Sequence, residues 1–183
     1  MKRGSIQVLE KLLQEVEICH FCERLPFDPK PILQVGSSKA RLLITGQAPG
    51  TLAHETRITF NNSSGDRLRE WLQIDREIFY NPSLIAIVPM GFCYLGKLKH
   101  GGDLPPRKEC APRWWNKILQ QLSELQMMLL VGSYAQNYVL GKGRVTNRVK
   151  NYKDYLPNFF VCLIPRGGLW LGKKEPIFLK MRY

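Results

Sequence analysis

The stretch from Leu42 to Gly50 constrains the fold of this chain most strongly. Its first four residues, Leu42–Thr45, run without a charged side chain into a turn that contains two glycines and a proline. A short apolar run with such a boundary is typical of a central strand covered on both faces of its sheet. The turn then lies at the carboxyl end of that strand, where open α/β sheets bind their ligands. A plain strand-to-helix turn without a ligand is the alternative.

Segments of strand and helix character alternate along the rest of the chain. This alternation predicts a three-layer α/β/α sandwich around a central, mostly parallel four-stranded sheet. With no internal repeat and no visible boundary, residues 1–183 are expected to form a single domain. The further strands are predicted at 84–88, 127–131 and 159–164, and the helices at 6–16, 65–73, 110–125, 133–140 and from 173 onward.

Two polar segments are predicted as loops. Residues 51–64 read as a long binding loop that carries Phe60, and Ser64 at its end is a candidate N-cap for the following helix. Residues 141–153 are basic and read as a surface excursion.

The charge balance favours a polyanionic partner. Lys and Arg number 27 against 15 Asp and Glu, a formal net charge of +12, so a polyanion such as nucleic acid is the expected partner and a basic surface without a specific partner is the alternative. No apolar run approaches ~18 residues and no signal peptide is visible, so no membrane association and a cytoplasmic location are expected. The candidate phosphate contacts on the predicted loops are Lys97, Lys99, Lys142, Arg144, Arg148 and Lys150.

Four of the five cysteines have a spacing that suggests a metal centre. Two residues separate Cys19 from Cys22, whereas Cys93 and Cys110 flank a long loop. Four such thiolates can hold one tetrahedral zinc ion or one iron–sulfur cluster. Buried cysteines that act as small hydrophobic residues, with no metal, are the alternative. Cys162 lies inside the last predicted strand and is not needed for this set.

Several motifs in order resemble the uracil-DNA glycosylase superfamily, in particular its iron–sulfur branch. The run Gly46-Gln47-Ala48-Pro49-Gly50 resembles the family's first motif, which commonly reads GEAPG. Phe60 falls where the family places the aromatic that stacks on the flipped base, and Gly65 matches the glycine of the next helix. The four cysteines match the cluster pattern, and residues 165–171 resemble the tail of the HPSP segment and the residues after it.

The resemblance implies a function and a set of site residues. It implies a DNA repair glycosylase that hydrolyses the N-glycosidic bond of a flipped, deaminated base such as uracil, acts as a monomer and carries a 4Fe-4S cluster. The base would be bound by Gly46, Gln47, Ala48 and Phe60, the cluster by Cys19, Cys22, Cys93 and Cys110, and the DNA by a wedge of Arg166, Gly167, Gly168 and Leu169.

Three of the family's chemical groups are replaced in this chain. The acid of the first motif is Gln47, which can hold a water but cannot act as a base. The strand ending at Val88-Pro89 lacks the family's asparagine, and the HPSP histidine falls on Cys162. With Gln47, the nearby groups that could supply the lost chemistry are His54 and Glu55, although such a pair is often solvated surface.

These replacements leave two other functions open. One is a catalytically impaired DNA-binding or damage-sensing relative with the same fold. The other is a metal-bound α/β protein that acts on a small nucleotide, which would explain the cysteines but not the charge.

Overall fold

Residues 2–22 and 25–162 are described by the computed structural model, and within them four parallel strands form one sheet. The strands are β1 (Leu42–Thr45), β2 (Ile85–Ile87), β3 (Met127–Val131) and β4 (Phe159–Cys162). Their order across the sheet is β2-β1-β3-β4. The predicted parallel sheet is confirmed.

The strand order places a topological switch point beside β1. Leu42 pairs with Ile85 of β2 on one side and with Met127 of β3 on the other. The chain therefore leaves β1 toward one neighbour and returns on the opposite side. In open α/β sheets, the crevice at the carboxyl ends of such strands is where ligands bind. The residues that follow Thr45 lie at this position.

Helices cover both faces of the sheet, which confirms the three layers. Leu43 and Leu130 pack with Ile118 in one apolar cluster, whereas Leu42 and Leu129 pack with other helices in a second cluster on the opposite face. Alternate residues of each strand point to opposite faces, so an uninterrupted apolar run can fill both clusters. The helices are α1 (Lys2–Glu17), α2 (Thr51–Thr56), α3 (Ser63–Leu72), α4 (Arg76–Phe79), α5 (Asn116–Gln121), α6 (Gly132–Leu140) and α7 (Val145–Lys150), with a π-helical turn at Ala111–Trp115 and a 3-10 turn at Tyr152–Tyr155.

The segment predicted as one long loop at 51–64 contains helix α2. The predicted cap is also wrong, because Asn62 and not Ser64 caps α3 and accepts a hydrogen bond from the Gly65 amide at 3.0 Å. An asparagine is as good a cap as a serine, so the polar run left the register of the helix start open.

The basic segment 141–153 is likewise not a plain loop, because it forms α7 and the 3-10 turn. Arg148 within it is only 5% exposed. Its Nη1 donates to Asn137 Oδ1 at 3.1 Å and its Nη2 to the Gly141 carbonyl at 2.6 Å. The guanidinium is therefore an internal brace, and the prediction that Arg148 contacts phosphates is wrong.

None of the helices in the described part of the chain is long and apolar enough to cross a bilayer. The predicted helix from Lys173 and the segment 165–171 fall outside the described residues.

Candidate functional site

The loop from Gly46 to Gly50 continues directly from β1 at the switch point. Main-chain hydrogen bonds from the segment after β2 hold it in place. The Met90 amide donates to the Gly46 carbonyl and the Gly91 amide to the Gln47 carbonyl, both at 2.9 Å. At the end of β1, the Thr45 hydroxyl accepts a hydrogen bond from the Trp115 indole at 3.2 Å. The loop is thus a fixed feature of the sheet edge.

The Gln47 side chain connects this loop to residues more than fifty positions away. Its Nε2 donates to the carbonyl oxygen of Leu104 at 2.9 Å and to that of Asp103 at 3.4 Å. Two carbonyl acceptors require a donor, which an amide has and an ionised carboxylate lacks. The glutamine in place of the family's acid therefore matches its surroundings.

Phe60 lies against the first glycine of the loop. A Cβ built on Gly46 would be 3.1 Å from Cζ of the Phe60 ring, so a larger residue at 46 would displace the ring. Phe60 has a φ of 51°, a left-handed conformation that is uncommon for a bulky residue. Its ring also lies nearly perpendicular to the Phe79 ring, with centroids 6.4 Å apart. The structure therefore brings together Gly46 and Phe60, two of the residues predicted to bind the base.

A polar network behind Phe60 maintains this unusual backbone. The Tyr80 hydroxyl donates to the Thr59 carbonyl at 2.9 Å, and Arg69 Nη1 lies 3.2 Å from that hydroxyl. Arg69 is 7% exposed and forms an ion pair with Asp66. A strained conformation persists only where its surroundings enforce it, and here three side chains do so.

Gly65 also belongs to the support of Phe60. A Cβ on Gly65 would overlap the Phe60 carbonyl oxygen, so only glycine lets α3 approach this close. This is the physical reason for a glycine at that position.

His54 and Glu55 both lie on α2. The His54 ring packs 5.3 Å from Phe27 and 5.4 Å from Tyr94, and its Nδ1 is buried without a hydrogen-bond partner. Glu55 is exposed. The structure thus places His54 in an aromatic cluster and Glu55 at the surface.

Cys162 ends β4 in the apolar cluster with Leu129. Burial raises the pKa of its thiol to about 12, so the side chain is neutral at physiological pH. It can neither stabilise nor supply charge in the way an imidazole would.

The other four cysteines line a single cavity. Cys19 and Cys22 reach it from the segment after α1, Cys93 from the segment after β2, and Cys110 from the start of the π-helical turn. The rest of the lining is mainly apolar, from Phe21, Leu25, Pro31, Phe92 and Trp114, with Arg113 at its side.

Three of the four sulfurs in this cavity accept N–H hydrogen bonds. The indole of Trp114 donates to Cys19 Sγ at 3.2 Å, the Lys30 amide to Cys93, and the Phe92 amide to Cys110. Such bonds stabilise thiolates and set the potentials of iron–sulfur clusters.

The cavity as it stands favours protonated thiols. Burial raises the pKa of Cys93 to about 11 and that of Cys110 to about 12, and burial together with nearby Cys19 raises the pKa of Cys22. Arg107 and Arg113 oppose the shift at Cys22. A metal centre bound here would therefore displace protons from these thiols.

Among the described residues, no three His, Cys, Asp or Glu side chains form a group that could hold a single metal ion. A zinc ion needs sulfurs about 2.3 Å from one centre. An iron–sulfur cube accepts thiolates that stand farther apart, because each thiolate binds a different iron. Four thiols around one cavity are the donor type of both a structural zinc ion and an iron–sulfur cluster.

The loop after Cys93 contains a hairpin at residues 96–104. The backbones of Lys97 and Asp103 form an isolated antiparallel β-bridge across it, and the Leu98 amide donates to the Gly102 carbonyl at 2.7 Å. Lys97 and Lys99 are exposed on this hairpin. The predicted wedge of Arg166, Gly167, Gly168 and Leu169 lies outside the described residues.

Sequence reasoning missed the partners that this site draws from distant segments. Asp103 and Leu104, which meet Gln47, lie in a loop without any motif that would mark them. Trp114 follows Cys110 by one helical turn, and that spacing is the one signal that could have indicated it.

One comparison with known proteins bears on this geometry. The model of the uracil DNA glycosylase superfamily matches residues 33–180. The matched range includes the loop at 46–50, Phe60, Cys93 and Cys110, and it begins after Cys19 and Cys22. Members of this superfamily act on DNA as glycosylases, which agrees with a loop and an aromatic ring gathered at the switch point. The chain belongs to the uracil DNA glycosylase superfamily.

Proposed function

We propose that this protein is a DNA repair glycosylase that removes a deaminated base such as uracil. The observation that carries the proposal is the contact between the Phe60 ring and Gly46 at the carboxyl end of β1. A flat aromatic face can stack on a base, and the main-chain groups of the loop beside it can hydrogen-bond the edge of that base. Phe60, Gly46, Gln47 and Ala48 are the proposed base-binding residues.

The chemistry requires the base to leave the duplex stack, which costs a few kcal/mol and is offset by such contacts. As the glycosidic bond breaks, positive charge grows on the sugar and negative charge on the base. Fixed dipoles and charges near these atoms accelerate the reaction most. The family match supports glycosylase chemistry in general, and the choice of uracil is the proposed refinement.

Gln47, His54 and Glu55 stay as predicted participants in the chemistry. Gln47 uses its Nε2 on two carbonyl oxygens, so its Oε1 is the atom that could hold a water. The buried Nδ1 of His54 is the proposed proton carrier, and this role requires α2 to adjust around the substrate. Glu55 is exposed and would need DNA to bring a substrate to it.

We further propose that Cys19, Cys22, Cys93 and Cys110 hold a 4Fe-4S cluster. The shared cavity and the three N–H···S hydrogen bonds support it. The cluster would tie the segment after α1 to both ends of the loop 93–110.

The proposed partner is DNA, with the exposed Lys97 and Lys99 on phosphates and the wedge at Arg166–Leu169 in the duplex. A monomer in the cytoplasm remains our prediction for its working form.

Excision from a labelled oligonucleotide panel tests the proposed function. The panel carries uracil, hypoxanthine or xanthine in single and double strands, with Gln47→Ala and Phe60→Ala as variants. Excision of one base by the wild type, with loss in Phe60→Ala, is expected. If the wild type excised none of the three bases, the proposed glycosylase activity would be overturned.

Two observations favour a second candidate, a damage-binding protein without turnover. Gln47 serves as an internal donor and Cys162 is a buried neutral thiol, so two of the family's reactive positions carry no charge here. Tight, salt-sensitive binding of a damaged oligonucleotide without excision would establish this candidate.

A further inference from the structure

Asp103 brings a carboxylate to the loop at 46–50 from another part of the chain. Its Oδ2 lies 3.5 Å from the position that a Cβ on Gly50 would occupy, and its Cγ 4.0 Å from it. Between Gly96 and Lys108 it is the one acidic residue, among three lysines, an arginine and a histidine. A lone carboxylate in so basic a segment, in a chain of net charge +12, calls for a specific role.

Hydrogen bonds hold the backbone of the segment that carries this carboxylate. Gln47 Nε2 donates to the Asp103 carbonyl at 3.4 Å and to the Leu104 carbonyl at 2.9 Å. The Leu104 amide in turn donates to the Gly96 carbonyl at 3.0 Å, which closes the hairpin. Gln47 thus binds the segment that carries Asp103. Position 47 is also where the family has the acidic residue of its first motif.

Phe60 and Asp103 mark the two ends of the same short loop. The ring lies on Gly46 and the carboxylate beside Gly50. Four residues of chain span at most about 14 Å, so a nucleoside can have its base on the ring and its sugar toward the carboxylate.

We propose that Asp103 supplies the carboxylate that position 47 lacks, by holding the attacking water and stabilising positive charge on the sugar. This rests on the proposed function and deepens it. In the reaction, a bond forms between the water oxygen and C1′ while the C1′–N bond breaks, and its electron pair leaves on the base nitrogen. The water proton passes to the Asp103 carboxylate and from there to solvent, and the departing base takes a proton from solvent.

The surrounding charges explain why such a carboxylate would act on the sugar. Anionic phosphates repel a nearby carboxylate. The electrostatic attraction of that carboxylate is therefore strongest toward an atom that acquires positive charge. The anomeric carbon does so in the transition state, and an enzyme accelerates only through interactions that strengthen there.

A pair of abasic-site analogues tests this without requiring turnover. One oligonucleotide carries a cationic pyrrolidine in place of the sugar and the other a neutral tetrahydrofuran, with identical phosphates. The ratio of the two dissociation constants is measured for the wild type, Asp103→Asn and Asp154→Asn, the last being the same change on an exposed residue of the 3-10 turn. The wild type and Asp154→Asn should prefer the cation, and Asp103→Asn should lose tenfold or more of that preference.

Single-turnover excision on the same variants separates this proposal from the proposed function. Asp103→Asn should slow excision by about 100-fold or more while tetrahydrofuran binding is unchanged. An unchanged cation preference or an unchanged excision rate in Asp103→Asn would overturn the role of Asp103 and leave the glycosylase standing. A third outcome is that the wild type excises no base but prefers the cationic analogue, and Asp103→Asn loses that preference. This result would overturn the glycosylase activity and support the placement of the carboxylate.

Discussion

The side-chain nitrogen of Gln47 lies 2.9 Å from the carbonyl oxygen of Leu104. This hydrogen bond joins the loop after β1 to the hairpin at 96–104, across 57 positions of the sequence. It gives a glutamine at 47 a structural use that the family's acid could not serve.

Gln47→Glu should therefore destabilise the protein without raising excision. The carboxylate would face two carbonyl oxygens, and an unsatisfied partly buried group costs about 1–3 kcal/mol. The free energy of unfolding from a denaturant titration measures this. Gln47→Met, which removes the hydrogen bonds without adding charge, should cost less. A Gln47→Glu protein as stable as the wild type would contradict the arrangement.

Phe60→Ala should weaken binding of an oligonucleotide with an extrahelical base by about 1–3 kcal/mol, since base stacking on an aromatic ring is worth that much. Fluorescence of 2-aminopurine beside the damaged base reports on stacking and binding together. Gly65→Ala should weaken the same signal indirectly, because its Cβ would overlap the Phe60 carbonyl. Normal binding by Phe60→Ala would show that the ring belongs only to the core.

Trp114→Phe should lower the reduction potential of a cluster held by the four cysteines. In the wild type, the indole hydrogen bond to Cys19 stabilises the more negative reduced form of the cluster, and the variant loses this stabilisation. A hydrogen bond worth ~1 kcal/mol corresponds to about 40 mV for one electron. Spectroelectrochemistry on the cluster-containing protein measures the shift. Trp115→Phe is the matched control, since its indole donates to Thr45 instead. Equal potentials in the two variants would argue against the N–H···S bond.

Lys97→Ala and Lys99→Ala should each reduce the slope of log K against log salt for duplex DNA by about 0.9, provided that each lysine contacts one phosphate. Arg148→Lys should leave the slope unchanged, because the guanidinium is buried on Asn137 and Gly141. It should instead lower stability by about 1–3 kcal/mol. A changed salt slope in Arg148→Lys would contradict its internal role.

Cys162 should make stability fall at alkaline pH. Burial raises the pKa of its thiol from 9.0 to about 12, so between these values the folded protein holds a proton that the unfolded chain has released. Its contribution is therefore complete below pH 9 and declines above it, by about 1.4 kcal/mol per pH unit. Denaturant titrations from pH 8 to 11 should show a steeper decline in the wild type than in Cys162→Val. Parallel curves would mean that the thiol titrates normally.

Much of the fold could be predicted from local pattern. The runs at 42–45 and 127–131 are strands with the predicted bounds, and the helical spacing at 6–16 lies within α1. Burial on both faces leaves an uninterrupted apolar run, and burial on one face leaves a helical period, so both can be recognised within one segment.

Within the candidate site, the sequence pointed to Gly46, Phe60 and the four cysteines, because these positions are marked by spacing. It misjudged Arg148, whose charge suggested solvent while its carbonyl and amide partners drew it inward. It also gave no reason to consider Asp103.

The sequence by itself determined the sheet, the loop at its carboxyl edge and the cysteine set. Only the tertiary structure decided that Gln47 donates to Leu104, that Trp114 donates to Cys19 and that the Asp103 carboxylate lies beside Gly50. The physical reason is that periodicity records whether a side chain is buried, whereas its hydrogen-bond partner is chosen by how segments fifty or more residues apart pack together.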